Sequence, residues 1–151
     1  EFDTISAIGI IEHIDDNKGF VKELARVTKV NGTLIIVSSS FQFLWSMHDI
    51  ANEHIRRYYL RDLDRIMKDQ GFKKIRSSHF NFFLFPIIAP TLIMHKIIFG
   101  LKSEKAQRIL PIPAKPVNFI LKMTLILEAQ ILKYVSFPFG ISTIGKYKKI
   151  S

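Results

Sequence analysis

The sequence predicts an α/β fold headed by a parallel strand–helix–strand unit, on three observations. Phe2, Thr4, Ile5, Ala7 and Ile8 form a short apolar run that Gly9 closes. Phe20, Val21, Leu24 and Val27 then recur at helical spacing. A second apolar run, Thr33 to Val37, follows the helix.

Taken in order, the first run reads as a strand buried on both faces. Asp15 and Asp16 stand where a helix cap belongs, and Asn31-Gly32 supplies its stop signal. Ser38-Ser39-Ser40 closes the second strand. Ligands of open α/β sheets bind beyond the carboxyl ends of the strands, which places Gly9, Glu12 and His13 at the edge of a site. The segment from Phe41 to Tyr59 has no sustained period and gathers Trp45, His48, Asp49, His54, Arg56, Arg57 and Tyr58. Such a loop at a strand's carboxyl end is expected to form a substrate-facing lid.

Leu60, Leu63, Ile66 and Met67 mark a helix that Gly71 ends, with Arg61, Asp62, Asp64, Arg65 and Lys68 on its wet face. Phe72 to Ser77 reads as a strand. Ser77 to Met94 holds no Lys, Arg, Asp or Glu and is crowded with Phe, Ile and Leu. Its length approaches the roughly 20 residues of a membrane span, but Asn81, Pro86 and Pro90 argue against one. Burial in the core and an interfacial or substrate-covering helix both remain open. Lys102 to Pro116 is a basic connection in which Pro111, Pro113 and Pro116 forbid a regular helix. Val117 to Val135 is a second, largely apolar helix that can pair with the first as a cap. Pro138-Phe139-Gly140 turns the chain into a last strand, Ile141 to Tyr147.

Charge divides this chain of 151 residues, whose net charge is +9. Residues 1–90 hold 12 Lys/Arg against 11 Asp/Glu, whereas 91–151 hold 10 against Glu104 and Glu128 alone. Because that last third is also the most apolar, an anionic membrane surface or a lipid-linked anionic substrate suits it better than nucleic acid, for which no module signature is visible. The chain has no cysteine, which excludes disulfides and thiolate metal sites and fits a cytoplasmic location without requiring one, while the basic, apolar last third suits a place at the membrane periphery. No metal is expected either, since His48, Asp49 and His54 match no helical ligand spacing. A nicotinamide-dependent oxidoreductase lacks support because no Tyr-x-x-x-Lys pair is present.

The run Phe2-Asp3 to Gly9, then Glu12-His13-Ile14, Glu23-Leu24-Ala25-Arg26-Val27 and Asn31-Gly32-Thr33-Leu34-Ile35-Ile36, resembles the middle of a class I S-adenosylmethionine-dependent methyltransferase. Trp45-Ser46-x-His48-Asp49, His54-x-Arg56-Arg57-Tyr58, Gly71-Phe72, Phe80-Asn81 and Pro138-Phe139-Gly140-Ile141-Ser142 resemble a subgroup of that family. The resemblance implies a partial Rossmann-like methyltransferase sheet in family order 4-5-7-6, its last strand antiparallel. It also implies an apolar helical pair inserted over about residues 82–135. Residues 1–151 would then be the carboxyl-terminal part of one domain. None of the seven glycines stands as Gly-x-Gly, so the amino-terminal half that binds the cofactor is expected to be missing and the chain alone to bind S-adenosylmethionine weakly.

By the same resemblance Ala7, Ile8, Gly9 and Glu12 would line the cofactor, although many relatives carry an acid or amide where Gly9 stands. His13 stands in the family's Glu-His pair at the mouth of the site. Histidine titrates near neutrality, so His13, His48 and His54, together with Tyr58, are the candidate catalytic bases. Arg56 and Arg57 are suited to a carboxylate or phosphate on the acceptor, with Trp45 and Asp49 beside them. The expected activity is methyl transfer to a small-molecule or lipid-linked acceptor. The alternative is a non-catalytic module that docks on a membrane or a partner. Tyr59 stands where the subgroup usually has a Ser or Thr helix cap.

Overall fold

The computed structural model describes residues 1–100 and 113–150. Its elements are β1 (Phe2–Ile8), a 3-10 turn (Ile11–His13), α1 (Asn17–Val27), β2 (Thr28–Ser39), a second 3-10 turn (Gln42–Leu44) and α2 (Met47–Ala51). These are followed by α3 (Leu60–Asp69), β3 (Phe72–Phe80), α4 (Phe85–Phe99), α5 (Lys115–Leu132) and β4 (Ser142–Lys149). The four strands form one sheet in the order β1-β2-β4-β3. β1 and β2 run parallel, and β4 inserts antiparallel to both β2 and β3. This is the order and polarity expected of family strands 4-5-7-6.

The core lies between one sheet face and the helices α1 and α3. Val21, Leu34, Ile36, Leu63, Met67, Phe72 and Tyr147 are fully or almost fully buried there. Each such side chain contributes about 1.5–3 kcal/mol by leaving water. Tyr147 brings a hydroxyl into this core and donates it to Asp64 Oδ1 at 2.7 Å. Asp64 also accepts from Lys74 Nζ at 2.7 Å, so it is no part of the purely wet face predicted for α3. Gly71, at φ +82°, ends α3 as expected. Tyr59 occupies the cap position of α3 with no side-chain hydrogen bond, as the loss of a Ser or Thr there implies.

β1 is not buried on both faces. It is an edge strand in which Ala7 alone is buried and Ile5 is half-buried, while Phe2 and Ile8 are 61% and 63% exposed. Apolarity dictated a strand, but two-sided burial needs a neighbour on each side and a layer on each face. The face opposite the core carries Ser6, Ile8, Ile35, Val37, Ile144 and Lys146 in register, and none of these is buried.

Asp16 caps α1, its Oδ1 accepting from Gly19 N–H at 2.9 Å. The helix stops at Val27 rather than at Asn31-Gly32, because Thr28 turns extended and its hydroxyl bonds Leu24 O at 2.6 Å. Asn31, at φ +67°, instead forms an irregularity within β2, where the pairing jumps from Phe2–Thr28 to Thr4–Thr33.

The apolar stretch after Ser77 is shared between the end of β3, a turn and α4, and no described helix is long and apolar enough to cross a membrane. Pro116 does not end regular structure: it sits in the first turn of α5, where a missing N–H costs nothing. Most of the predicted Lys102–Pro116 connection lies outside the described residues. α5 is tied to the turn that precedes α4, where buried Glu128 accepts from the Phe82 and Phe83 N–H groups at 3.0 and 3.2 Å.

Candidate active site

β1 delivers the chain to a sharp turn. Gly9 adopts φ +63° while its N–H bonds Val37 O at 3.0 Å. Nothing lies within 4 Å of the place a β-carbon would take, so the turn opens into free space at the carboxyl end of the sheet. Ile8 and Gly9 are exposed and Ala7 is buried behind them. Three residues past Gly9, Glu12 folds back under β2, 3% exposed. Its Oε1 accepts from Ser39 N–H at 3.2 Å and lies 3.4 Å from Ser39 Oγ, whereas its Oε2 is buried without a partner.

The segment after β2 is not loose. Both ends are pinned to the sheet by a Ser40–Tyr58 bridge, with Tyr58 N–H on Ser39 O at 2.9 Å. Ser46 and Asp49 form a reciprocal capping box at the start of α2. Asp49 is fully buried. It receives Arg57 Nε at 2.7 Å and Nη2 at 2.9 Å in a two-pronged pair, and Arg57 Nη1 reaches Ser40 O at 3.2 Å. Gln42 Oε1 accepts from Arg57 N–H at 2.9 Å. Burial raises the Asp49 carboxyl, but the Arg57 bonds and charge, the His54 bond and the Ser46 N–H outweigh it and hold it below its ordinary value.

His54 Nδ1 sits 2.9 Å from Asp49 Oδ1. A carboxylate only accepts, so Nδ1 carries a proton, and in the neutral ring Nε2 then holds the lone pair. His13 meets His54 edge to face, ring centroids 4.8 Å apart, and its own Nδ1 lies 3.3 Å from Glu53 O. Ile55 N–H bonds Glu12 O at 2.8 Å and so locks the histidine-bearing segment onto the turn after β1.

The structure therefore brings Glu12, His13, His54, Asp49 and Arg57 into one continuous cluster. It spends Arg57 on Asp49, and it spends Arg56 on Asp15, whose backbone O and Oδ1 receive Nη2 at 2.9 and 3.2 Å. Tyr58 is buried: it accepts from Asn17 Nδ2 at 3.0 Å and donates to Ile11 O at 3.3 Å. Burial pushes its phenol above the ordinary value, so it remains protonated at neutral pH. Trp45 is half-buried at the end of the second 3-10 turn, and His48 is exposed on α2. Three contributors carried no advance signal: Ser39 under Glu12, Gln42 under Arg57 and Asn17 on Tyr58. Each is a short polar side chain whose partner is distant in sequence.

A methyltransferase-domain family model matches residues 1–77. The chain belongs to that family, and its sheet is that of a class I S-adenosylmethionine-dependent methyltransferase. A search of curated proteins gave no significant match. Among solved structures, phosphoethanolamine N-methyltransferase 2 of Haemonchus contortus, in complex with S-adenosyl-L-methionine, superposes at a TM-score of 0.52 with 15% identity. That match covers 99% of this chain and 34% of the worm enzyme's chain. The YcgJ protein of Bacillus subtilis superposes at 0.52 with 15% identity, covering 100% of this chain and 65% of that one. The chain thus spans between about a third and two thirds of the length of these structures.

Proposed function

We propose that this chain forms the acceptor-side part of an S-adenosylmethionine-dependent methyltransferase acting on a small-molecule or lipid-linked acceptor. One observation carries the reading: the open Gly9 turn at the tip of β1 adjoins a buried carboxylate, Glu12, that still has an unpartnered oxygen. The fit to the cofactor is that of one wall. Ala7, Ile8 and the Gly9 backbone offer an apolar and close-approach surface, and Glu12 offers one acceptor. The glycine-rich loop and ribose-binding acid that complete such a site have no counterpart in this sequence. The free edge of β1 and the face bearing Ser6, Ile8, Ile35 and Val37 are suited to receive the segments that carry them.

When bound, S-adenosylmethionine supplies an electrophilic methyl group on a sulfonium sulfur. What remains for the protein is to align the acceptor and, where it bears a proton, to remove it. His54 is the preferred base, because Asp49 orients its ring and leaves the Nε2 lone pair for the acceptor, and His13 is its neighbour at the mouth. Asp49 and Arg57 position His54 rather than touch the acceptor. Trp45 and His48 stay candidates for acceptor contact, and Arg56 joins them if its exposed partner Asp15 gives way.

Titration of S-adenosylhomocysteine into the 151-residue chain, followed by backbone amide NMR, tests the cofactor wall. Weak binding is expected, with shift changes concentrated at Ala7, Ile8, Gly9 and Glu12. Shift changes elsewhere, or none up to about 10 mM ligand, would overturn the assignment.

A further inference from the structure

Of the 25 large apolar side chains that the described residues leave exposed, 12 lie on the two helices α4 and α5. On α4, Ile87, Ile97 and Ile98 are 68%, 77% and 62% exposed, and on α5, Phe119 and Ile120 are 64% and 62% exposed. Helical geometry groups these residues. Ile87, Met94 and Ile98 fall along one line of α4 with Ile97 beside it, and Phe119, Met123 and Ile126 fall along one line of α5 with Ile120 beside it.

The charges around these stripes have one sign. Lys96 lies on α4, and Lys115 and Lys122 lie on α5. The single carboxylate of the two helices, Glu128, is 2% exposed and committed to the Phe82 and Phe83 N–H groups. Where α5 meets the sheet, Arg76, Lys133 and Lys146 line an open groove of about 240 Å³ over Leu132 and Ile144, with no carboxylate among its lining residues.

We propose that α4 and α5 lie in the interface of an anionic phospholipid bilayer, their apolar stripes among the upper acyl chains and the Arg76–Lys133–Lys146 groove at the level of the lipid phosphates. Apolar stripes bordered only by cations match an anionic lipid surface in both respects. A second copy of the same face would instead set lysine against lysine, with no exposed acid on either helix among the described residues to relieve them. Spanning is not required of either helix, since no described helix is long and apolar enough for it. The inference goes beyond methyl transfer and does not rest on it.

Vesicle flotation of the 151-residue chain tests it. The wild type is expected to float with phosphatidylcholine vesicles containing about 30 mol% phosphatidylglycerol, and to bind about tenfold less to pure phosphatidylcholine or in about 0.5 M salt. Ile97→Glu with Phe119→Glu should lower binding at least about tenfold. Lys122→Gln with Lys133→Gln should weaken binding to the anionic vesicles only. All four side chains lie on the surface, and an unchanged melting curve verifies that each variant is folded. Two results would overturn the proposal. One is equal flotation of the wild type and the Ile97→Glu/Phe119→Glu variant. The other is a wild type that does not float but forms a dimer which that variant dissolves, giving the face to a second copy.

Discussion

Asp49 holds His54 and Arg57 at once, with His54 Nδ1 at 2.9 Å and Arg57 Nε at 2.7 Å from the same carboxylate oxygen. A buried carboxylate that accepts from a guanidinium, an imidazole and a backbone amide is spent on geometry. Through its bond with Nδ1 it fixes the orientation of the His54 ring, the positioning role proposed for it above.

Asp49→Ala leaves the Arg57 guanidinium buried without its counter-ion. Removing one member of a buried pair costs about 3–5 kcal/mol. Urea denaturation should show that loss, and Asp49→Asn should show a smaller one because it keeps part of the hydrogen bonding. Acid works in the same direction. The folded carboxyl sits below its ordinary value of 3.8, so the stability it provides is present above that pH and disappears as pH falls through the folded value. The wild type should therefore lose stability more steeply than Asp49→Asn below about pH 4. Equal acid profiles would contradict the linkage.

His79 makes a prediction of its own. It is 5% exposed and stacks on Phe41, centroids 4.8 Å apart, with Nδ1 unpartnered. Burial pushes its imidazole below the ordinary 6.5. The unfolded chain therefore binds a proton that the folded chain resists, and stability falls as pH drops from 6.5 toward the folded value. His79→Phe keeps the stack and removes the proton site. The stability of the variant relative to wild type should rise as pH falls from 7 to about 5, measured by thermal melting. A constant difference would refute it.

The Tyr147 hydroxyl is the polar end of a side chain buried in the core, held 2.7 Å from Asp64. Tyr147→Phe should cost about 1–2 kcal/mol in urea unfolding, because Asp64 keeps Lys74 as a partner. Asp64→Ala strands the hydroxyl in the core and should cost more.

Gly140 packs against the Phe80 backbone so closely that an added β-carbon would overlap the Phe80 carbonyl oxygen, and its own carbonyl accepts from Ser40 Oγ. Gly140→Ala must displace the turn that sets β4 between β2 and β3. A loss of about 2 kcal/mol or more is expected in thermal or urea unfolding, against little change for Gly9→Ala in space, whose cost is the strain of its positive φ alone.

The periodicities of the sequence were enough to find β1, α1, α3 and the last strand. The ensemble of motifs from Phe2 to Ile36, with those further along the chain, was enough to give the family and with it the strand order. Those readings succeed because apolar period, caps and glycine stops are local signals. Exposure was not legible: an apolar run such as Phe2–Ile8 or Phe85–Phe99 reads alike whether covered or bare, and only the packed fold shows which faces are left in water. Nor did the sequence separate Arg57 from Arg56. They are neighbours of equal chemistry, and the alternation of the chain after His54 buries one against Asp49 while leaving the other at the surface with Asp15. Local chemistry thus determined which elements form and which family they build. Tertiary packing decided that Arg57 is buried on Asp49 while Arg56 reaches back to Asp15, because burial depends on contacts between elements that the local sequence does not specify.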